Sequence, residues 1–156
     1  MAGQLDAGDP APAFSLPDDA GRSVSLADFA GRKLVLFCYP KADTEGCTRE
    51  AQAFSALRPQ FARAGTAILG VSPDPVRKLA RFKQKHALAL TLLADESHEM
   101  LDRYGAWTEK SMYGRKFMGV ERSTFLIGRD GRLARVWRKV RVERHADEVL
   151  AAAREL

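Results

Sequence analysis

Five consecutive apolar residues, Leu34 to Cys38, form the feature that most limits how this chain can fold. An uninterrupted apolar run lacks the alternation of a strand with one face in water, and it is typical of a strand covered on both faces. A second run, Ala67 to Val71, has the same character. The two runs therefore predict buried strands of a central sheet.

Helix and strand patterns alternate around these two runs. A hairpin is predicted near the N-terminus, where the segment Pro17 to Gly21 would turn the chain between Phe14 and Leu26. Four helices are predicted: from about Thr44, from Pro75 to about His86, near Ser97 to Tyr104, and from about Arg144 to Glu155. A short strand is predicted from Leu90 to Leu93. A late hairpin joins Ser123–Ile127 to Leu133–Val140 through an Asp130-Gly131 turn.

Apolar stripes at helical spacing indicate which helix faces are buried. The stripes are Ala51, Phe54, Leu57 and Phe61 on the first helix, Val76, Leu79, Ala80 and Phe82 on the second, and Val149, Leu150 and Ala153 on the last. Pro59 lies inside the first pattern. Because proline has no backbone N–H, we expect it to kink that helix or to start a second one.

This order of elements predicts an α/β fold with a mixed central sheet flanked by helices. The order resembles the thioredoxin-like architecture, with an added N-terminal β-hairpin. No repeat, low-complexity tract or linker interrupts residues 1–156, so a single domain is expected. Apolar side chains make up 46% of the chain, which is enough to build a core without disulfides.

Composition and charge disfavour several classes of function. No stretch approaches the ~18 apolar residues of a membrane span, and residues 1–6 lack the layout of a signal peptide, so we expect a cytoplasmic protein with no membrane partner. The net charge is +5, but the densest basic run, Arg129 to Arg144, interleaves its charges with apolar residues as a half-solvated strand would. No nucleic-acid partner is expected, and contact with a polyanion is the alternative. His86, His98 and His145 show no metal-ligand spacing.

The candidate chemistry lies between Tyr39 and Glu50, where a buried strand ends and a helix begins. Ligand sites of open α/β sheets lie at such strand ends. Thr44 is a suitable N-cap residue, which places Cys47 in the first helical turn, where free N–H groups and the helix dipole favour an anion. A cysteine thiolate is such an anion, so Cys47 is a candidate nucleophile.

The alternative is that Cys47 is an inert residue on a buried helix face, since cysteine is commonly buried and unreactive. Its neighbours argue against this interpretation. They are polar and suit a site that a substrate can reach: Thr44, Glu45, Gly46, Thr48, Arg49 and Glu50.

Two segments resemble one enzyme family. Pro40, Thr44 and Cys47 have the Pro-x-x-x-Thr-x-x-Cys spacing of the peroxiredoxin active-site signature, and the block from Lys110 to Ile127 is similar to a segment of the bacterioferritin comigratory protein (peroxiredoxin Q) subfamily. Three shorter segments are also similar: Gly8–Phe14, Val71–Asp74 and Arg135–Val140. The chain thus resembles the AhpC/TSA peroxiredoxins over roughly residues 7–155.

The resemblance implies that Cys47 is the peroxidatic cysteine, which attacks hydrogen peroxide or an organic hydroperoxide and becomes a sulfenic acid. It also implies that the Arg122 guanidinium contacts both thiolate and peroxide, that the Thr44 hydroxyl donates to the peroxide, and that Pro40 shields the site. Because sulfur itself carries the electrons, no metal or organic cofactor is expected. Without the resemblance, Arg122 would be a surface residue before a strand and Pro40 a strand terminator.

The subfamily often carries a second, resolving cysteine five positions after the first or in a following helix. Here position 52 is Gln52, and no cysteine follows Cys47. Cys38 is the other thiol, and inside its apolar run we expect it to be packed, with a resolving role as the alternative. The expectation is therefore a one-Cys, monomeric peroxidase whose sulfenic acid is reduced by an external thiol such as thioredoxin, glutaredoxin or glutathione.

Other classes fit the residues less well. A disulfide oxidoreductase of the same fold would need Cys-x-x-Cys at the helix start, which this chain lacks. A glutathione-peroxidase relative would need Trp and Gln partners in comparable motifs, whereas Trp107 and Trp137 are placed otherwise. A non-enzymatic redox sensor or holdase that uses the same Cys47 is the alternative to an enzyme.

Overall fold

A computed structural model describes residues 4–156 of the chain, so the part of the signal-peptide prediction that falls on residues 1–3 lies outside the described residues. In chain order the strands are β1 (Ser15–Pro17), β2 (Ser23–Ser25), β3 (Lys33–Cys38), β4 (Thr66–Ser72), β5 (Thr91–Ala94), β6 (Trp107–Met112), β7 (Arg115–Val120), β8 (Ser123–Ile127) and β9 (Leu133–Trp137). The helices are α1 (Glu45–Arg63), α2 (Val76–Lys85), α3 (Glu99–Arg103) and α4 (His145–Glu155), and a short 3-10 turn covers Leu26–Phe29.

A mixed sheet of five strands lies at the centre of the fold, in the order β5-β4-β3-β8-β9. Strand β3 runs parallel to β4 and antiparallel to β8, so the predicted mixed sheet is confirmed. The N-terminal hairpin β1–β2 and the late hairpin β8–β9 also form as predicted, although β9 ends at Trp137 rather than at Val140.

Side chains of β3 alternate between two cores, one on each face of the sheet. Val35 and Phe37 pack with residues of α1, α2 and α4, whereas Leu34, Leu36 and Cys38 pack on the other face with residues of α3. All six residues of β3 are buried. The uninterrupted apolar run therefore reflects a strand covered on both faces, as the sequence predicts.

Helix α1 continues through Pro59, so the prediction that this proline starts a second helix is wrong. Phe54 and Phe61 are both buried, and their ring centroids lie 5.9 Å apart across the proline position. Burial of the two aromatic rings, about 1.5–3 kcal/mol each, offsets the cost of a proline inside a helix, about 3 kcal/mol for its missing hydrogen bond and its steric clash together. On α2, Ala80 is exposed rather than buried, whereas Leu79 and Phe82 are buried and Val76 packs against the same core.

The sequence patterns do not predict the hairpin β6–β7, which forms a separate two-stranded sheet. This hairpin is mostly exposed, and Tyr113 at its tip is 98% exposed. Only Glu121 and Arg122 connect β7 to β8, so Arg122 lies directly before β8, whose first residue Ser123 pairs with Cys38 at the end of β3. None of the helices within residues 4–156 is long and apolar enough to cross a membrane.

Candidate active site

Residues 39–44 form the active-site loop, which joins the end of β3 to the start of α1. Thr44 has the extended backbone of an N-cap, and its carbonyl accepts the Thr48 N–H at 2.8 Å, so Cys47 lies in the first turn of α1 as predicted. The Thr44 hydroxyl does not cap the helix. It donates instead to the Lys41 carbonyl at 2.7 Å within the loop.

Two acidic side chains fix this loop against α2 and the end of β4. Asp74 accepts hydrogen bonds from the Ala42 N–H at 2.7 Å and the Ser72 hydroxyl at 2.8 Å. Asp43 has a left-handed backbone (φ 63°) and pairs with Lys85 and with His86, each at 2.8 Å. These contacts hold the chain that leads from the sheet into the cysteine helix.

The structure brings Cys47 and Arg122 together, although 75 positions separate them in the chain. Arg122 Nη2 donates to Cys47 Sγ at 3.3 Å. Cys47 is 1% exposed, and the Arg122 side chain is 17% exposed. A half-buried guanidinium therefore lies beside the sulfur, where little water screens its positive charge.

Glu50 is a site residue that sequence reasoning missed. Arg122 Nη1 donates to Glu50 Oε1 at 2.7 Å, and Glu50 is 1% exposed. The guanidinium therefore uses one nitrogen for the carboxylate and the other for the sulfur. The signal was present in the sequence, because residues three apart lie on the same helix face and Glu50 follows Cys47 by three positions.

The comparisons with known proteins decide the family. The AhpC/TSA family profile matches residues 7–136. The chain belongs to the AhpC/TSA family. Peroxiredoxin Bcp of Bacillus subtilis is 41% identical over 152 residues, which cover 97% of each chain. Peroxiredoxin Bcp of Escherichia coli is 42% identical over 146 residues, or 94% of each chain.

A solved structure of peroxiredoxin Q from Xanthomonas campestris superposes on this peroxiredoxin with a TM-score of 0.91 at 41% identity, covering 97% of this chain and 98% of that one. These relatives confirm the predicted family, the thioredoxin-like fold and a thiol-dependent peroxidase. The roles of Cys47, Thr44, Arg122 and Pro40 stay predictions that rest on the geometry described here. Pro40 is half-buried where the active-site loop begins.

The ionisation of the Glu50–Arg122 pair is set by burial and by the pairing itself. Burial raises the pKa of Glu50 to about 7, and Arg122 opposes this shift. Burial also lowers the pKa of Arg122, but Glu50 and Cys47 outweigh it, so the pKa of the guanidinium is raised overall. Arg122 is therefore cationic at neutral pH, whether or not Glu50 carries a proton.

Glu50 should make this peroxiredoxin less stable as the pH rises. Its pKa is higher in the folded protein (about 7) than the ordinary 4.5, so the folded state binds the proton more tightly, and stability is lost as the pH rises through this window. Relative to a Glu50→Gln variant, the free energy of unfolding should fall by roughly 3 kcal/mol between pH 4.5 and 7. Urea denaturation of both proteins at several pH values measures this difference in the free energy of unfolding.

The matched control for this measurement is Glu45→Gln, which changes an exposed glutamate of the same helix. This variant should keep the pH slope of the parent protein. If parent and Glu50→Gln had the same slope, the assignment of a proton-binding Glu50 would be wrong.

Cys38 and Cys47 are both free thiols and lie on opposite sides of the sheet. Cys38 packs with Leu36 on one face, whereas Cys47 packs with Phe37 on the other. A disulfide needs Cβ atoms that converge to about 4 Å. Burial, the largest cause, also raises the pKa of Cys38 far above its ordinary range, so this thiol is unreactive where it lies.

Proposed function

We propose that this peroxiredoxin reduces hydrogen peroxide and organic hydroperoxides at Cys47, and that it works by a one-Cys mechanism with an external thiol as reductant. The observation that carries this proposal is the 3.3 Å contact between Arg122 Nη2 and Cys47 Sγ at the start of α1. It pairs a nucleophilic sulfur with a fixed cation that faces the developing negative charge.

In the first step the Cys47 thiolate attacks one peroxide oxygen and the O–O bond breaks. The sulfur becomes a sulfenic acid, and the other oxygen leaves as hydroxide or alkoxide, which takes a proton from water. Negative charge moves from the sulfur to the leaving oxygen, so a donor near both atoms stabilises the transition state more than the ground state. Arg122 is placed for that role. We propose that the Thr44 hydroxyl turns from the Lys41 carbonyl to the peroxide when substrate binds.

In the second step an external thiol condenses with the sulfenic acid, which releases water and leaves a mixed disulfide on Cys47. A second thiol then releases the reduced enzyme and a disulfide product. Thioredoxin, glutaredoxin or glutathione could supply these thiols. The separation of Cys38 from Cys47 by the sheet supports an external thiol, because an internal disulfide would require β3 and α1 to come apart.

Mass spectrometry after one equivalent of peroxide tests the one-Cys mechanism. We expect one added oxygen atom, located on Cys47 by a sulfenic-acid trapping reagent. Because no internal thiol consumes the sulfenic acid, excess peroxide should add a second and a third oxygen. A Cys38–Cys47 disulfide in most molecules would contradict the mechanism, whereas failure to consume peroxide with any thiol would contradict the peroxidase itself.

We also propose that the enzyme is cytoplasmic, because the cytoplasm is the compartment in which free thiols such as Cys38 and Cys47 persist. We further propose that it is a monomer. Size-exclusion chromatography with light scattering measures the oligomeric state of the reduced protein. Cell fractionation measures its location.

A further inference from the structure

A cavity of about 260 Å³ lies between the 3-10 turn and the end of the central sheet at which β3 begins and β8 ends. Leu34 and Ile127 line it from the sheet, where they pair across the two strands and are buried. Leu26 and Phe29 line it from the 3-10 turn, and both are half-buried. Apart from two arginines, the other lining residues are alanine and glycine, so the interior of this Phe29 cavity is apolar.

The two arginines that line the Phe29 cavity are Arg32 and Arg129. The Arg32 guanidinium lies over the Phe29 ring, 5.5 Å from the ring centroid. Arg129 Nη1 donates to the Gly31 carbonyl at 3.3 Å. Each guanidinium is thus held by a residue of the cavity itself. Because a guanidinium has five N–H donors, each keeps several for a ligand.

The positive charge at the Phe29 cavity is not neutralised. Within residues 4–156, no acidic side chain lines this cavity, and no carboxylate lies within salt-bridge distance of Arg32 or Arg129. Asp28 and Asp130, which are close to these arginines in sequence, each accept a backbone N–H elsewhere, at 2.9 and 3.1 Å. An apolar space with two fixed cations favours a ligand that has an apolar body and a negatively charged end.

The Phe29 cavity is separate from the active site. Leu34 lies at the start of β3, whereas Cys47 follows the end of that strand, and at about 3.3 Å per residue Leu34 is roughly 13 Å from Cys38. The two places also lie on opposite faces of the sheet, because Leu34 belongs to one core and Cys47 to the other. A ligand in this cavity therefore does not contact the reactive sulfur.

We propose that the Phe29 cavity is a binding site for a medium-chain fatty acid. The alkyl chain lies against Leu34, Ile127 and Phe29, and the carboxylate accepts hydrogen bonds from Arg32 and Arg129. The planar fork of a guanidinium matches the two oxygens of a carboxylate. The volume is slightly below the roughly 300–1,000 Å³ of pockets for drug-sized ligands, so the cavity suits a short chain.

Octanoate is the probe for this site, and octanamide is its matched control, because the two differ only in the charge of one end. Each is titrated into the isotopically labelled protein while the amide chemical shifts are recorded. The amides of Gly31 and Gly128, which line the cavity, should shift saturably with an octanoate Kd of about 1 mM, as expected for about ten non-hydrogen atoms. Octanamide should bind about threefold to tenfold more weakly, because it forms no ion pair with the exposed arginines. Added salt should narrow this difference.

Two arginine variants locate the carboxylate. Arg32→Gln and Arg129→Gln should each weaken octanoate binding about twofold to fivefold and leave octanamide binding unchanged. Arg77→Gln removes an exposed cation of α2 that does not line the cavity, and this variant should bind octanoate like the parent protein.

A third variant locates the alkyl chain. Ala30 lines the cavity and is exposed, so Ala30→Leu fills part of the apolar space and should weaken the binding of both ligands at least about fivefold. Ala80→Leu makes the same change at an exposed alanine of α2 that does not line the cavity, and it should leave both affinities unchanged.

Several results would overturn the fatty-acid site. The first is the absence of saturable shifts at Gly31 and Gly128 up to about 10 mM octanoate, or equal affinity for octanoate and octanamide. Shifts of the Gly46 and Cys47 amides in their place would assign octanoate to the active site. Shifts of Gly31 and Gly128 that follow protein concentration without octanoate would assign the cavity to a second copy of the chain. None of these measurements depends on peroxide reduction, so this site and the proposed function are tested separately.

Discussion

Cys47→Ser is expected to abolish thiol-dependent peroxide consumption. The serine hydroxyl is not ionised at neutral pH and has no sulfur that can accept oxygen, so neither the attack nor the sulfenic acid is possible. The loss should exceed about a thousandfold, down to the uncatalysed rate of the thiol alone. The measurement is peroxide loss with glutathione or thioredoxin as reductant, with and without enzyme.

Cys38→Ala is the matched control for that variant. Cys38 is fully buried on the far face of the sheet, so its removal should leave turnover within about twofold and lower stability by about 1 kcal/mol through the small cavity left behind. Unchanged turnover in Cys47→Ser would refute the assignment of the reactive sulfur. A parent protein that forms the sulfenic acid but never turns over would instead indicate a redox sensor.

Local sequence patterns predict most of the fold because they record which faces are buried. The run Leu34 to Cys38 predicts a doubly covered strand, and β3 is one. The spacing of Phe54 and Phe61 predicts a single buried helix face, and the helix keeps it across Pro59. The hairpin β6–β7 escapes such reasoning because most of its residues are exposed, so no apolar periodicity marks its strands.

The same distinction holds at the active site. The position of Cys47 follows from local signals, namely the end of a buried strand and an N-cap threonine. Its contact with Arg122 depends on tertiary structure, and only the family resemblance predicted it. Glu50 lies between these cases, because helical spacing places it beside Cys47 but only the buried contact with Arg122 shows why a carboxylate is there.

Arg122→Met is expected to slow the reaction of Cys47 with peroxide by about a hundredfold to a thousandfold, the loss that follows removal of one preorganised donor from a site where charge develops. Arg122→Lys should lose less, about tenfold to a hundredfold. A lysine keeps the charge but has no planar fork, so it cannot contact Glu50 and Cys47 with two fixed nitrogens as Arg122 does. Stopped-flow measurement with the reduced protein gives these rate constants, and Arg115→Lys on the exposed hairpin should match the parent.

A loss of rate in Arg122→Met could also arise from a damaged fold, because the variant leaves Glu50 buried without its partner. Breaking a buried ion pair at one side costs about 3–5 kcal/mol. The double variant Glu50→Gln/Arg122→Met removes the stranded carboxylate, so it should recover much of that stability and still react slowly with peroxide. If the double variant regained the parent rate together with its stability, Arg122 would be a structural residue, and the guanidinium would have no part in the chemistry of Cys47.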